Sequence, residues 1–212
     1  MSVMIVAIDG PAGAGKSTVA RTVASRLGFA YLDTGAMYRA VTWLALEHGL
    51  ELGDGEALGR LALENPISFA EERVLIGGRD ITEEIRAASI DRVVSAVARH
   101  AQVRAVMRDR QRELASVGDA VVEGRDIGTV VCPGAEVKVY LIADPVERAR
   151  RRRAERPDIG ADALATDLRD RDERDASQMR KAVDAIEIDT TELSVSDVVE
   201  RIVALVRERA LA

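Results

Sequence analysis

An α/β fold with a parallel sheet and helices on both faces is what this 212-residue chain predicts. Two observations carry that expectation. Apolar runs of strand length, at residues 3–8, 29–32, 120–122, 137–142 and 185–188, alternate with stretches of helical period. Directly after the first run, Gly10-Pro11-Ala12-Gly13-Ala14-Gly15-Lys16-Ser17 fills every position of the G-x-x-x-x-G-K-[ST] pattern.

Taken in order, residues 3–8 are apolar enough for a strand buried on both faces, and Val19, Val23 and Leu27 after the glycine-rich run keep a helical spacing. Strand, loop and helix agree on one phosphate site. The glycines let successive backbone N–H groups point inward at an anion, and Lys16 adds a mobile charge beside the β- and γ-phosphates. The Ser17 hydroxyl suits Mg²⁺, and Thr18 opens a helix whose positive end faces the same phosphate. A nucleoside triphosphate with Mg²⁺ is therefore the expected occupant of residues 10–18.

After the strand at 29–32 comes a helix at 36–48, following Thr34. Residues 65–82 differ in character: short apolar clusters broken by charge and by Gly77-Gly78 predict a small antiparallel insertion. One long helix is expected over residues 90–114. Residues 147–175 are too charged for a core, and a helix there places Arg148, Arg151 and Arg152 along one side, as a solvated face or a mobile lid. A final helix at 196–209 buries Val198, Val199, Ile202, Val203, Leu205 and Val206, with Ser194 or Ser196 as its cap.

Composition narrows the function. Net charge is −6, so the surface as a whole repels nucleic acid, and a polyanion site has to be a local cluster of arginines. A lone cysteine, Cys132, excludes an internal disulfide framework and suits a reducing compartment. No stretch is apolar enough for a bilayer, and Met1 leads straight into the first strand with no signal peptide, so a cytoplasmic location is expected.

The surroundings of the phosphate loop select among its chemistries. A GTP switch should carry D-x-x-G and N-K-x-D, and neither occurs. A kinase acting on an alcohol needs a base, which Asp33 at the end of the second strand could provide. A kinase acting on a nucleoside monophosphate needs cations instead, because its acceptor is already anionic and two polyanions must meet in line. Arg39, Arg104 and Arg125 are placed to supply them, Arg39 and Arg125 after strands whose carboxyl ends form the ligand crevice of a parallel sheet. A non-catalytic ATP-binding module is the third possibility.

The chain resembles the bacterial cytidylate kinase family along nearly its whole length. Matching motifs occur in order: I-D-G-P-A-G-A-G-K-S at residues 8–17, L-D-T-G-A-M-Y-R at 32–39, D-I-T-E-E-I-R at 80–86, E-G-R-D-I-G-T-V-V at 123–131, R-D-x-R-D at 171–175 and D-A-I-E-I-D-T-T at 184–191. The resemblance implies phosphorylation of CMP and dCMP by ATP in a monomer, with no polymer or membrane partner. It implies one kinase domain: a core at about 1–62, 100–146 and 182–212, a monophosphate-binding insertion at about 63–99 and a lid at about 147–175. Arg39 and Arg125 should then grip the CMP phosphate, and Thr34, Ser95, Arg104 and Asp126 surround the cytosine, with Tyr38 lining that pocket. Asp175 and Arg171 should hold the ribose hydroxyls, Arg148, Arg151 and Arg152 the triphosphate, and the Asp189-Thr190-Thr191 turn should lie near adenine. The transferring group's charge would be spread over Lys16, Arg39, Arg125, Arg148 and Arg152. A carboxylate at Asp126 rewards the exocyclic amine of cytosine and is left unpaired by uracil. One departure stands out. After R-D-x-R-D the family continues with a further arginine and a Pro-Leu pair, whereas residues 176–183 here are shorter and lack the proline, so that contact is not carried over. Either Arg174 or Arg180 substitutes for it, or affinity for CMP is weaker.

Overall fold

The computed structural model describes residues 3–70, 73–156 and 160–211. Glu71 and Glu72 of the expected insertion, residues 157–159 of the expected lid and the Met1 end of the chain lie outside the described residues. The elements run β1 (Ile5–Asp9), α1 (Lys16–Leu27), β2 (Ala30–Asp33), α2 (Thr34–Glu47), α3 (Gly55–Glu64), β3 (Ile67–Ala70), β4 (Arg73–Ile76), β5 (Arg79–Asp80) and α4 (Ala88–Ala98). They continue with α5 (Ala101–Ala115), β6 (Ala120–Gly124), β7 (Val137–Ile142), α6 (Pro145–Glu155), α7 (Ala161–Asp175), β8 (Ile186–Asp189) and α8 (Val195–Ala210). The chain divides into two compact units, one of Met1–Asp33 with Arg112–Ala212 and one of Thr34–Gln111.

The first unit holds a five-stranded sheet in the order β2-β6-β1-β7-β8, with every pairing parallel. Val6, Ala7, Ile8, Val121 and Val122 are fully buried, which is why these strands read as continuous apolar runs. Helices α1 and α8 pack against each other and cover the sheet through Val19, Val23, Val199, Ile202 and Val203. Each such side chain contributes about 1.5–3 kcal/mol. Ser194 is the cap of α8: its hydroxyl accepts from the Asp197 N–H while the Asp197 carboxylate accepts from the Ser194 N–H. The register sets Asp9 beside Gly124 and Asp33 beside Glu123, so the carboxyl ends of β1, β2 and β6 form one acidic rim.

The second unit packs α2 on α4 and carries the expected antiparallel sheet, β3-β4-β5. Ile76 pairs with Arg79 across Gly77 and Gly78, whose φ values of 56° and 83° make the two-residue turn that only glycine forms cheaply. One helix joins those expected, and one expectation changes. Helix α3, capped by the Asp54 carboxylate on the Ala57 N–H, was hidden by Gly55 and Gly59, poor helix formers that serve packing. A Cβ at Gly55 would come within 2.8 Å of His100 Nδ1, and one at Gly59 within 2.8 Å of Gln102 Cβ. The helix expected over residues 90–114 is instead α4 followed by α5. The break falls at Arg99 and His100, where the His100 ring bonds the Leu52 carbonyl at 2.9 Å, a tertiary contact that local periodicity does not reveal.

Candidate active site

The loop between β1 and α1 is a cradle built on glycine. Gly10 has φ +145°, and a Cβ there would fall 2.1 Å from the Leu141 carbonyl oxygen, so a side chain is impossible. Gly15 (φ 87°) precedes α1 without any side-chain cap, which leaves the first N–H groups of the helix to an anion. Pro11 and Gly13 are half-buried, Ala12 and Ala14 buried, and Ser17 and Thr18 exposed at the start of α1. Lys16 folds back so that Nζ donates to the Pro11 carbonyl at 2.7 Å. Burial holds its ammonium well below the usual lysine range; Arg125 adds to that shift, and Glu123 and Asp9 oppose it.

Behind the cradle stand carboxylates to which the sequence reading gave no role. Glu123, the last side chain of β6, is buried, accepts a hydrogen bond from the Tyr31 hydroxyl, and is hydrogen-bonded to Ser17. Burial raises its carboxyl from 4.5 to about 7, and the neighbouring Asp33 carboxylate adds to the shift. Asp9 accepts from the Ile127 and Gly128 N–H groups at 2.8 Å each, and burial raises it from 3.8 to about 6. The detectable signal was a carboxylate ending an otherwise apolar parallel strand, as both do. Because both folded values lie above the unfolded ones, the native state binds more protons between about pH 4.5 and 7, and stability falls as pH rises through that window. The melting temperature of Glu123→Gln should therefore vary less over that range than that of the parent chain. A variant that followed the parent's pH profile unchanged would remove Glu123 from this account.

Arg125 follows β6 and donates from Nε to Asp175 Oδ2 at 3.2 Å, with Arg171 3.9 Å from the same oxygen. Asp126 is buried and precedes a single π-helical turn, Ile127–Val131, which the sequence did not announce. Arg112 closes that turn by donating to the Val130 and Val131 carbonyls at 2.7 and 2.8 Å. The side chains of α6 lean on the cradle. Arg148 Nη1 donates to the Ala12 carbonyl at 3.1 Å and to Asp172 Oδ2 at 2.6 Å, and a Cβ at Gly13 would come within 3.0 Å of Arg148 Cβ. Arg151 reaches Thr190, donating to its hydroxyl at 3.0 Å and its carbonyl at 2.6 Å. The Thr190 hydroxyl in turn lies 3.2 Å from the Ala14 carbonyl oxygen. Arg152 pairs with Glu155 on its own helix. Lys16, Arg125, Arg171, Asp175 and Arg148 thus gather around one end of the first unit.

The remaining candidates belong to the second unit. Thr34 begins α2 and is buried, and Tyr38, one turn on, is half-buried. Arg39 forms an ion pair with Asp91 of α4, and buried Ser95 lies one turn beyond Asp91 on the same side of that helix. Arg104 is half-buried on α5. In the shortened stretch after Asp175, Gln178 and Met179 donate their N–H groups to the Asp175 carbonyl. Neither suggested substitute arginine turns inward: Arg174 pairs with Asp170 at the surface, and Arg180 is exposed.

A parallel sheet whose central strand runs through a glycine cradle into a helix defines the P-loop nucleotide-binding fold as the class. Shikimate kinase from Bacteroides thetaiotaomicron shares this fold, with a TM-score of 0.56 over 97% of this chain and 99% of that one at 15% identity. The family model for cytidylate kinase matches residues 6–208. The cytidylate kinase of Bacillus licheniformis is 47% identical over 220 residues, 98% of this chain and 97% of the relative. That of Geobacillus kaustophilus is 48% identical over 216 residues, 96% of each. A bifunctional pantoate ligase/cytidylate kinase of Synechococcus is 48% identical over 96% of this chain but 43% of its own length. This chain belongs to the cytidylate kinase family.

Proposed function

We propose that the chain transfers the γ-phosphoryl group of ATP to CMP and dCMP, giving ADP and the pyrimidine diphosphate. The observation that carries this reading is the grouping of Lys16, Arg125 and Arg148 around the cradle in a member of the cytidylate kinase family. Residues 10–18 and Arg151 hold ATP. Arg125 and Arg39 grip the acceptor phosphate, Asp126, Thr34, Ser95 and Arg104 with Tyr38 surround the base, and Asp175 and Arg171 hold the ribose. The insertion at 63–99 closes over the monophosphate, and the lid at 147–175 brings Arg148, Arg151 and Arg152 to the triphosphate and excludes water.

The donor set fits Mg²⁺ arriving with ATP. Ser17 is exposed and hydrogen-bonded to Glu123, with the Asp33 carboxylate near Glu123, all hard oxygen donors. Among the described residues no group of three or more His, Cys, Asp and Glu side chains is placed to hold a metal ion. Bound there, Mg²⁺ would neutralise charge on the β- and γ-phosphate oxygens. Positioning and charge neutralisation then suffice, and Asp33 serves beside Glu123 rather than as the base of an alcohol kinase. No helix among the described residues is long and apolar enough to cross a membrane. We place the protein in the cytoplasm as a monomer.

A coupled assay of ADP release over CMP, dCMP, UMP, AMP and simple sugar and cyclitol alcohols tests the reading. Release should depend on CMP or dCMP, with UMP slower by about 10²-fold or more, as expected when a buried carboxylate loses its donor. Turnover on an alcohol alone, or ATP binding without acceptor-dependent release, would overturn it.

A further inference from the structure

We propose that Asp9 is a positioning residue that fixes Arg125 and Asp126 toward the acceptor nucleotide through the two backbone N–H groups that follow them. The inference deepens the reading above and rests on it. Gly124 is held in the β-ladder opposite Asp9. Ile127 and Gly128 are held by the Asp9 side chain, each carboxylate oxygen accepting one N–H at 2.8 Å. Arg125 and Asp126 are therefore the only residues between two anchors, and Asp9 belongs to both, by its backbone on one side and its carboxylate on the other. It also immediately precedes Gly10, so one residue joins the start of the triphosphate cradle to the start of the acceptor grip.

A purely structural cap would not need this group. Asp9 is 4% exposed, and an ionised carboxylate there pays a desolvation penalty visible in its raised pKa, whereas a neutral Asn could cap one N–H at lower cost. What Asn cannot do is accept from both, because its amide nitrogen would face the second N–H. Close approach also restricts Gly128, where a Cβ would lie 3.4 Å from Asp9 Oδ2 and 3.2 Å from Lys138 Cδ.

The experiment compares the parent chain with Asp9→Asn in steady-state kinetics on CMP and UMP and in direct binding of ATP. Asp9→Asn should raise KM for CMP by about tenfold and lower the preference for CMP over UMP by a similar factor, as loss of hydrogen bonds to a charged acceptor implies. Affinity for ATP should stay within about twofold. Gly128→Ala, whose Cβ would press on Lys138 Cδ and touch the Asp9 carboxylate without changing its charge, should move both readouts in the same direction by about threefold, and it serves if Asp9→Asn does not fold. Equal losses toward ATP and CMP, or an altered melting temperature with CMP kinetics and base preference intact, would overturn the role. A parent chain that bound ATP but not CMP would overturn the underlying reading and this inference with it, an outcome the parent alone reveals.

Discussion

Replacing Lys16 with methionine should lower kcat for CMP phosphorylation by about 10²–10³-fold, the loss of about 3–4 kcal/mol that follows removal of a fixed cation from developing charge. Its position makes the effect specific. The ammonium is buried, donates to Pro11 within the cradle, and is pushed toward neutrality by burial and by Arg125. A triphosphate entering the cradle supplies the negative charge that favours the protonated form, so the cost of holding a cation there is offset when substrate arrives. Methionine keeps most of the side-chain volume without the charge, so the variant should fold, with a melting temperature equal to or above that of the parent. Circular dichroism melts and the ADP-release assay measure both halves. A kcat within about threefold of the parent value would exclude Lys16 from charge stabilisation.

The ease with which Lys16 is found in the sequence reflects how local its setting is. Strand, glycine turns and helix start lie within residues 5–27, and each leaves its own signature in order. The β4–β5 turn at Gly77-Gly78 and the Ser194 cap are legible for the same reason, since backbone conformation at one or two residues dictates the side chain. What escaped was decided across long separations. Gly55 and Gly59 look like breaks in a helix until His100 and Gln102 are seen against them. The Glu123 carboxylate has meaning only beside Tyr31, Ser17 and Asp33, which the parallel register brings to it, and Asp9 only beside Ile127 and Gly128. Arg148, Arg151 and Arg152 share a side of α6 as their spacing requires, yet their partners, Asp172, Thr190 and Glu155, differ for each.

Replacing Arg125 with lysine should fail to restore function, with kcat/KM for CMP falling by about 10²-fold, although charge is conserved. The guanidinium is about one-fifth exposed and is anchored through Nε to Asp175, which leaves the paired terminal nitrogens to present a planar fork to two phosphate oxygens. A lysine ammonium is a single point: it can meet Asp175 or a phosphate oxygen, and it has no rigid plane to fix the acceptor in line with the γ-phosphoryl group. The loss should fall mainly on KM for CMP and on kcat, with KM for ATP changed by no more than about twofold, because the cradle keeps Lys16 and its backbone donors. Stability should hardly move, since Arg171 remains within reach of the Asp175 carboxylate and the positive charge persists. If the lysine variant turned over CMP at near-parental kcat/KM, Arg125 would be only a structural partner of Asp175 and the acceptor phosphate would have to be held from elsewhere.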